Sequence, residues 1–234
     1  MKIVAEVIPG RVHGLSGYLP DVAGLADAID VPESPLGIPH PNSVATAAFI
    51  KAAYGCDVIP HVRLADLNEV SLLSLAYAAK TYGAYGLVIL RGEGGGGGFA
   101  SSEEAAAVIR SAKGLEGLKL GAILSLRFGD EEILRRAAGP FSFFLVTRLN
   151  PANPLGRAEV LEAVRGLGKE VFPYVIVATD ANADVIRRVG QPHVSEEGLP
   201  ELVEVLEGVV DGVIVSVPHD RAGLRRCLRS LRRR

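Results

Sequence analysis

Eight times along the chain, a short run of β-branched and apolar residues gives way to a longer stretch whose apolar residues recur every three or four positions. No other feature restricts the fold as tightly. A strand followed by a helix, repeated, builds parallel strands joined by helical crossovers. The strand runs are Lys2 to Ile8, Ala28 to Val31, Asp57 to Val62, Gly86 to Arg91, Lys119 to Leu126, Phe141 to Leu149, Val171 to Thr179 and Gly212 to Val217. Helical spacing follows at Pro20 to Ala26, Ser43 to Tyr54, Asn68 to Tyr82, Ser102 to Leu115, Glu131 to Ala138, Arg157 to Leu167, Ala183 to Val189 with Leu199 to Val209, and Arg221 to Arg232. Asn42 or Ser43, Asp66, Ser101-Ser102 with Glu104, and Asp180 or Asn182 are the expected N-caps. Gly55, Gly83, Gly139 and Gly168 are the expected helix stops.

The 234 residues divide into roughly 29 per unit, room for a strand, a helix and two short loops. That predicts an α/β fold, one (β/α)₈ TIM barrel over residues 1–234. The rival, a doubly wound open sheet, usually has fewer strands and would need a glycine-rich dinucleotide turn after the first strand, which this chain lacks. With 48% hydrophobic and 22% charged residues and a net charge of −2, the chain has matter for a sizeable core, and dominant disorder is excluded. The longest strongly apolar runs, such as Val171 to Ala178, are about ten residues, short of the ~20 that span a bilayer. Cys56 and Cys227 are too few for a disulfide framework, and Glu6 interrupts the N-terminal apolar run too early for a signal peptide. A cytoplasmic location is therefore expected. The tail from Arg221 to Arg234 holds seven arginines, but Leu224, Leu228 and Leu231 form a stripe opposite them. It reads as a barrel helix with a solvated basic face and not as a nucleic-acid surface.

A barrel carries its chemistry on the loops leaving the C-terminal ends of its strands. Those ends hold Glu6 and Pro9-Gly10, Pro32-Glu33-Ser34, His61 and Arg63, Arg91 and Glu93, Ser125 and Arg127, Arg148 and Asn150, Thr179 and Asp180, and Pro218-His219-Asp220-Arg221. Glu6 stands inside an apolar strand and shares a face with Val4 and Ile8. Facing the barrel interior, its carboxyl is desolvated, its pKa rises and it can deliver a proton near neutral pH; facing outward, it is a paired surface acid. Arg91 and Glu93 share one face at the fourth strand's end, ahead of the glycine run Gly94 to Gly98. That run lacks the Lys-Ser/Thr ending of a P-loop. His61 is a lone histidine at a strand end. No HxH, HExxH or paired-cysteine spacing suggests a metal, no nucleophile elbow is present, and no lysine stands at a strand's C-terminal end for a Schiff base.

From Glu6 through Asp27-Ala28-Ile29-Asp30-Val31-Pro32-Glu33-Ser34-Pro35-Leu36-Gly37, Ser43 to Lys51, Ile59-Pro60-His61-Val62 with Asp66, and Val88-Ile89-Leu90-Arg91-Gly92-Glu93, the first hundred residues resemble the methylenetetrahydrofolate reductase family of flavin-dependent barrel enzymes. The resemblance implies an oxidoreductase that reduces a pterin-bound methylene group to methyl. In it Glu6 is the general acid that opens the methylene bridge to an iminium able to accept hydride, and Glu93 faces the flavin and the folate ring. It further implies FAD held by His61, Arg91 and Arg135, NAD(P)H as a possible electron donor, a tetrahydrofolate-like substrate contacted by Arg221 and Asn150, and a possible homo-oligomer or partner subunit. The second half departs from the family. After the fifth strand the family has Tyr-Pro-Glu and a histidine that holds the flavin, whereas this chain reads Gly121-Ala122-Ile123-Leu124-Ser125-Leu126-Arg127. A flavin-free relative, a subunit of a larger one-carbon redox complex, a non-redox pterin-binding barrel and an unrelated sugar-phosphate barrel are the alternatives.

Overall fold

The computed structural model describes residues 1–10, 17–92 and 98–232. Its parallel strands are β1 (Lys2–Glu6), β2 (Ala28–Val31), β3 (Asp57–Arg63), β4 (Leu87–Leu90), β5 (Leu120–Ser125), β6 (Phe143–Thr147), β7 (Glu170–Ala178), the two-residue β8 (Val194–Ser195) and β9 (Gly212–Ser216). Hydrogen bonding runs β6-β5-β4-β3-β2-β1-β9-β7, and β6 pairs with β7, so eight strands close into a ring. This is the (β/α)₈ barrel expected from the repeat. β8 lies outside the ring on β7; two residues between two helical stretches carry no periodicity, so the sequence offered no sign of it. Several strands stop short of the expected ends: Ile8, Leu149 and Thr179 lie in the loops that follow β1, β6 and β7.

Between strands lie α1 (Leu19–Leu25), α2 (Ser43–Tyr54), α3 (Glu69–Thr81), α4 (Ser102–Ser111), α5 (Asp130–Ala137), α6 (Ala158–Gly166), α7 (Ala183–Val189), α8 (Leu199–Leu206) and α9 (Arg221–Arg232). Asn42 and Ser101 cap as expected, accepting from Ala45 N at 3.0 Å and Glu104 N at 3.1 Å. Asp66 does not: it sits in a short 3₁₀ turn and pairs with Arg63, and Asn68 caps α3 instead. Gly139 is likewise not the left-handed stop of α5, whose C-cap is Ala138 in right-handed backbone.

Register settles which side chains point inward. Val4, Ala28, Ile59, Val88, Phe143, Leu145, Phe172 and Ile214 form one apolar cluster, the barrel's own filling, distinct from the larger core between sheet and helices. Large and small residues complement each other in it. A Cβ on Gly121 would stand 2.3 Å from the Phe143 ring, one on Gly86 2.5 Å from it, and one on Gly212 2.9 Å from Phe172. The glycines thus make room for two rings that meet edge to face at 6.2 Å, both also against Tyr85. Below them Lys2 and Lys119 stand over Tyr85 at 4.2 and 4.6 Å, and Lys119 pairs with Glu170 at 2.8 Å, closing the N-terminal end. The C-terminal end is left for chemistry.

Candidate active site

Above the apolar filling, the next inward positions are polar. Glu6 at the end of β1 is the register partner of Asp30 on β2, and the inward alternation of the neighbouring strands adds His61, Tyr174 and Ser216. Asp30 is fully buried, and both its oxygens are engaged: His61 Nε2 lies 2.7 Å from Oδ1, and the Tyr174 hydroxyl donates to Oδ2 at 2.8 Å. The buried Ser216 hydroxyl donates to the Glu6 carboxylate. Burial, and then the negative charge of Asp30, push the Glu6 pKa from 4.5 up to about 7; Ser216 and His61 oppose the shift without cancelling it. Burial and the two carboxylates push the Tyr174 phenol well above its ordinary value, so it stays a hydrogen-bond donor.

Glu6 is partly exposed to a cavity of about 460 Å³ at the barrel mouth. Tyr18, His40, His219, Asp220 and Arg221 line it, with Ile8, Pro9, Val217 and Leu224 as apolar walls. The Arg221 guanidinium lies 4.7 Å over the Tyr18 ring and packs so closely on Gly10 that a Cβ there would stand 2.7 Å from Nη2. Burial pushes the Tyr18 phenol up to about 12, against the pull of Arg221. Among the described non-glycine residues, the left-handed conformations belong to Ser34, Leu36, Arg148 and His219, all in loops that leave strand C-termini. Each costs about 1–2 kcal/mol, a strain characteristic of working sites.

A second cavity, of about 700 Å³, opens between the ends of β4 and β5 and the helices α4 and α5. Arg91, Arg127, Arg135 and Arg136 line it beside Ser101 and Ser102 at the start of α4, over an apolar floor of Ala122, Phe141 and Phe144. Arg135 and Arg136 share Glu132, at 2.7 and 2.8 Å.

The structure thus places the expected site residues in three settings. Glu6 and Arg221 line the mouth cavity, with His61 buried beneath it in contact with Asp30. Arg91 and Arg135 share the second cavity. Asn150 lines neither: it is exposed, and its side chain accepts from Ala152 N at 3.1 Å within its own loop. Glu93 and Gly94 to Gly97 lie outside the described residues. Glu33 accepts from Ser43 N at 2.8 Å and serves the start of α2. Sequence reading missed Asp30, Tyr174 and Ser216. For Asp30 a signal existed: a carboxylate inside the apolar run Ala28-Ile29-Asp30-Val31, as Glu6 is in its own. Among the described residues no group of three or more His, Cys, Asp and Glu is placed to hold a metal, and no helix is long and apolar enough to cross a membrane.

Fold and site together define a TIM barrel whose mouth cavity holds a partly desolvated carboxyl at its base. An uncharacterized protein from Clostridium thermocellum that binds two copies of 5-methyl-5,6,7,8-tetrahydrofolic acid superposes with a TM-score of 0.73 at 9% identity, over 97% of this chain and 93% of that one. A mutant tryptophan synthase α-subunit from the hyperthermophile Pyrococcus furiosus superposes at 0.64 with 12% identity, over 99% and 95%. Tryptophan synthase from M. tuberculosis in an open form superposes at 0.63 with 12% identity, over 99% and 92%. Such identities establish the shared fold. No protein-family model and no curated protein matches the sequence.

Proposed function

We propose that the barrel mouth binds a reduced folate and that Glu6 delivers a proton to an amine of its one-carbon bridge, as in a methylenetetrahydrofolate reductase. The observation that carries this reading is the Glu6 carboxyl, raised to about 7 at the base of a cavity sized for a small ring system. Two independent lines point the same way: the residue resemblance centred on Glu6, and the barrel neighbour that binds 5-methyltetrahydrofolic acid. At neutral pH a substantial fraction of Glu6 carries its proton. In the transfer its O–H bond breaks as the bridge nitrogen gains the N–H, the bridge opens to an iminium, and Glu6 is left as a carboxylate facing Ser216. Arg221 and His219 line the same cavity and suit the ligand's carbonyl and carboxylate groups.

The resemblance also implies FAD. Arg91 and Arg135 share a cavity with two further arginines and the start of the ten-residue α4, a donor set that suits a diphosphate. His61 is 3% exposed and committed to Asp30, so it does not fit the flavin contact that the resemblance assigns to it. Bound there, a flavin would relay hydride from NAD(P)H. The mismatch at His61 favours a second reading, a flavin-free folate-binding barrel.

Calorimetric titration with 5-methyltetrahydrofolate, with sugar phosphates as controls, tests the binding, and absorption of the purified protein separates the two readings. Saturable folate binding is expected, retained in Glu6→Gln while turnover falls by about 10²–10⁴-fold. Binding of sugar phosphates alone overturns the folate reading, and full turnover in Glu6→Gln overturns the role of the acid.

A further inference from the structure

We propose that Asp30 is a positioning residue for Glu6: an anchored carboxylate, one strand away in register, whose charge adds to burial in holding a proton on the Glu6 carboxyl until a ligand draws it off. The inference deepens the acid role given to Glu6 above and rests on it for its use in catalysis, but its geometry stands without any ligand. Asp30 and Glu6 are Cα partners on adjacent parallel strands, so their side chains rise side by side into the barrel. Two carboxylates so placed cannot both ionise freely, and the partner with the better donors keeps the charge.

The donors differ in kind. Asp30 receives His61 Nε2 at 2.7 Å on one oxygen and the Tyr174 hydroxyl at 2.8 Å on the other, in full burial. Both fit a carboxylate; His61 opposes an acceptor with an N–H, and Tyr174 is held protonated by its surroundings. Glu6 meets the Ser216 hydroxyl, which donates to a carboxylate and can turn to accept from a carboxylic acid, so this contact survives either state. The pair is asymmetric by construction: a charge fixed deep in the barrel and a proton held at the cavity. Once Glu6 has given up its proton, two like charges face each other, which favours proton return to Glu6 through the mouth.

Titratable groups face Glu6 from below and above. Asp30, His61 and Tyr174 reach it from β2, β3 and β7. Tyr18, His40, His219, Asp220 and Arg221 face the cavity above. Asp30 is the acid beside Glu6 in the barrel interior, and its substitution is the decisive perturbation.

The test is carbon-13 NMR of the ligand-free protein labelled at the glutamate and aspartate carboxyl carbons, titrated from about pH 5 to about pH 8. Glu6→Gln and Asp30→Asn assign the two signals. In the wild type the Glu6 carbon is expected to titrate near neutrality. In Asp30→Asn the Glu6 proton affinity is expected to fall at least about tenfold, the effect of removing one adjacent like charge. An unchanged Glu6 midpoint in folded Asp30→Asn overturns the proposal. So does a wild-type titration in which the Glu6 carboxyl stays ionised down to about pH 5, a result that Glu6→Gln alone assigns and that therefore does not depend on Asp30→Asn folding. No folate is present, so failure here is distinct from failure to bind folate.

Discussion

Replacing Glu6 by Gln should change how stability depends on pH more than it changes stability at any one pH. The folded-state pKa lies at about 7, above the 4.5 of the unfolded chain, so the folded protein binds the proton more tightly. The contribution is therefore fully present below about pH 4.5 and lost as pH rises through about 7. The displacement from 4.5 to about 7 is worth about 3 kcal/mol, and the partial exposure of Glu6 to the mouth cavity lowers this to about 2 kcal/mol. Glutamine keeps a group for Ser216 to contact and cannot ionise beside Asp30. The gap between variant and wild type should thus move by about 2 kcal/mol in the variant's favour between pH 5 and pH 8, roughly 4–8 °C in Tm for a chain of this size. Urea melts followed by circular dichroism at the two pH values, at one ionic strength, measure it. A gap that stays constant within about 0.5 kcal/mol would refute the reasoning, because Glu6 would then not be an acid held neutral by burial and Asp30.

Two further outcomes follow from packing and backbone. Gly121→Ala puts a Cβ 2.3 Å from the Phe143 ring inside the barrel, so a loss of about 1–3 kcal/mol is expected in the same melts, partly recovered by adding Phe143→Leu. His219→Gly relieves a left-handed residue at the mouth, so the protein should gain up to about 1 kcal/mol while folate affinity, followed by calorimetry, falls.

The repeat was legible because each parallel strand, buried on both sides, writes itself as a short apolar run, and three helices, α2, α3 and α4, start on the side-chain caps Asn42, Asn68 and Ser101. The direction each strand faces was not. Glu6 was equally compatible with an outward surface position, and only the pairing of β1 with β2 and β9 turns it toward Asp30 and Ser216. The same limit hid Tyr174, one tyrosine in a nine-residue strand until β7 closes against β9 and brings its hydroxyl to an aspartate 144 positions away. Asn150 shows the reverse: its position at a strand end suggested a ligand contact, but the local turn to Ala152 claims its side chain. Arg91 and Arg135, far apart in sequence, meet on one cavity, while His61 points the other way into the barrel, a split that spacing along the chain does not encode.

The most direct measurement of all is a crystal structure with 5-methyltetrahydrofolate soaked to saturation. The pterin ring should lie in the mouth cavity with a ring or bridge nitrogen within hydrogen-bond reach of Glu6, and Arg221 and His219 should be turned toward the ligand. A ligand seated elsewhere on the barrel, with the cavity above Glu6 holding only water, would contradict the folate site and leave the buried acid pair without a substrate.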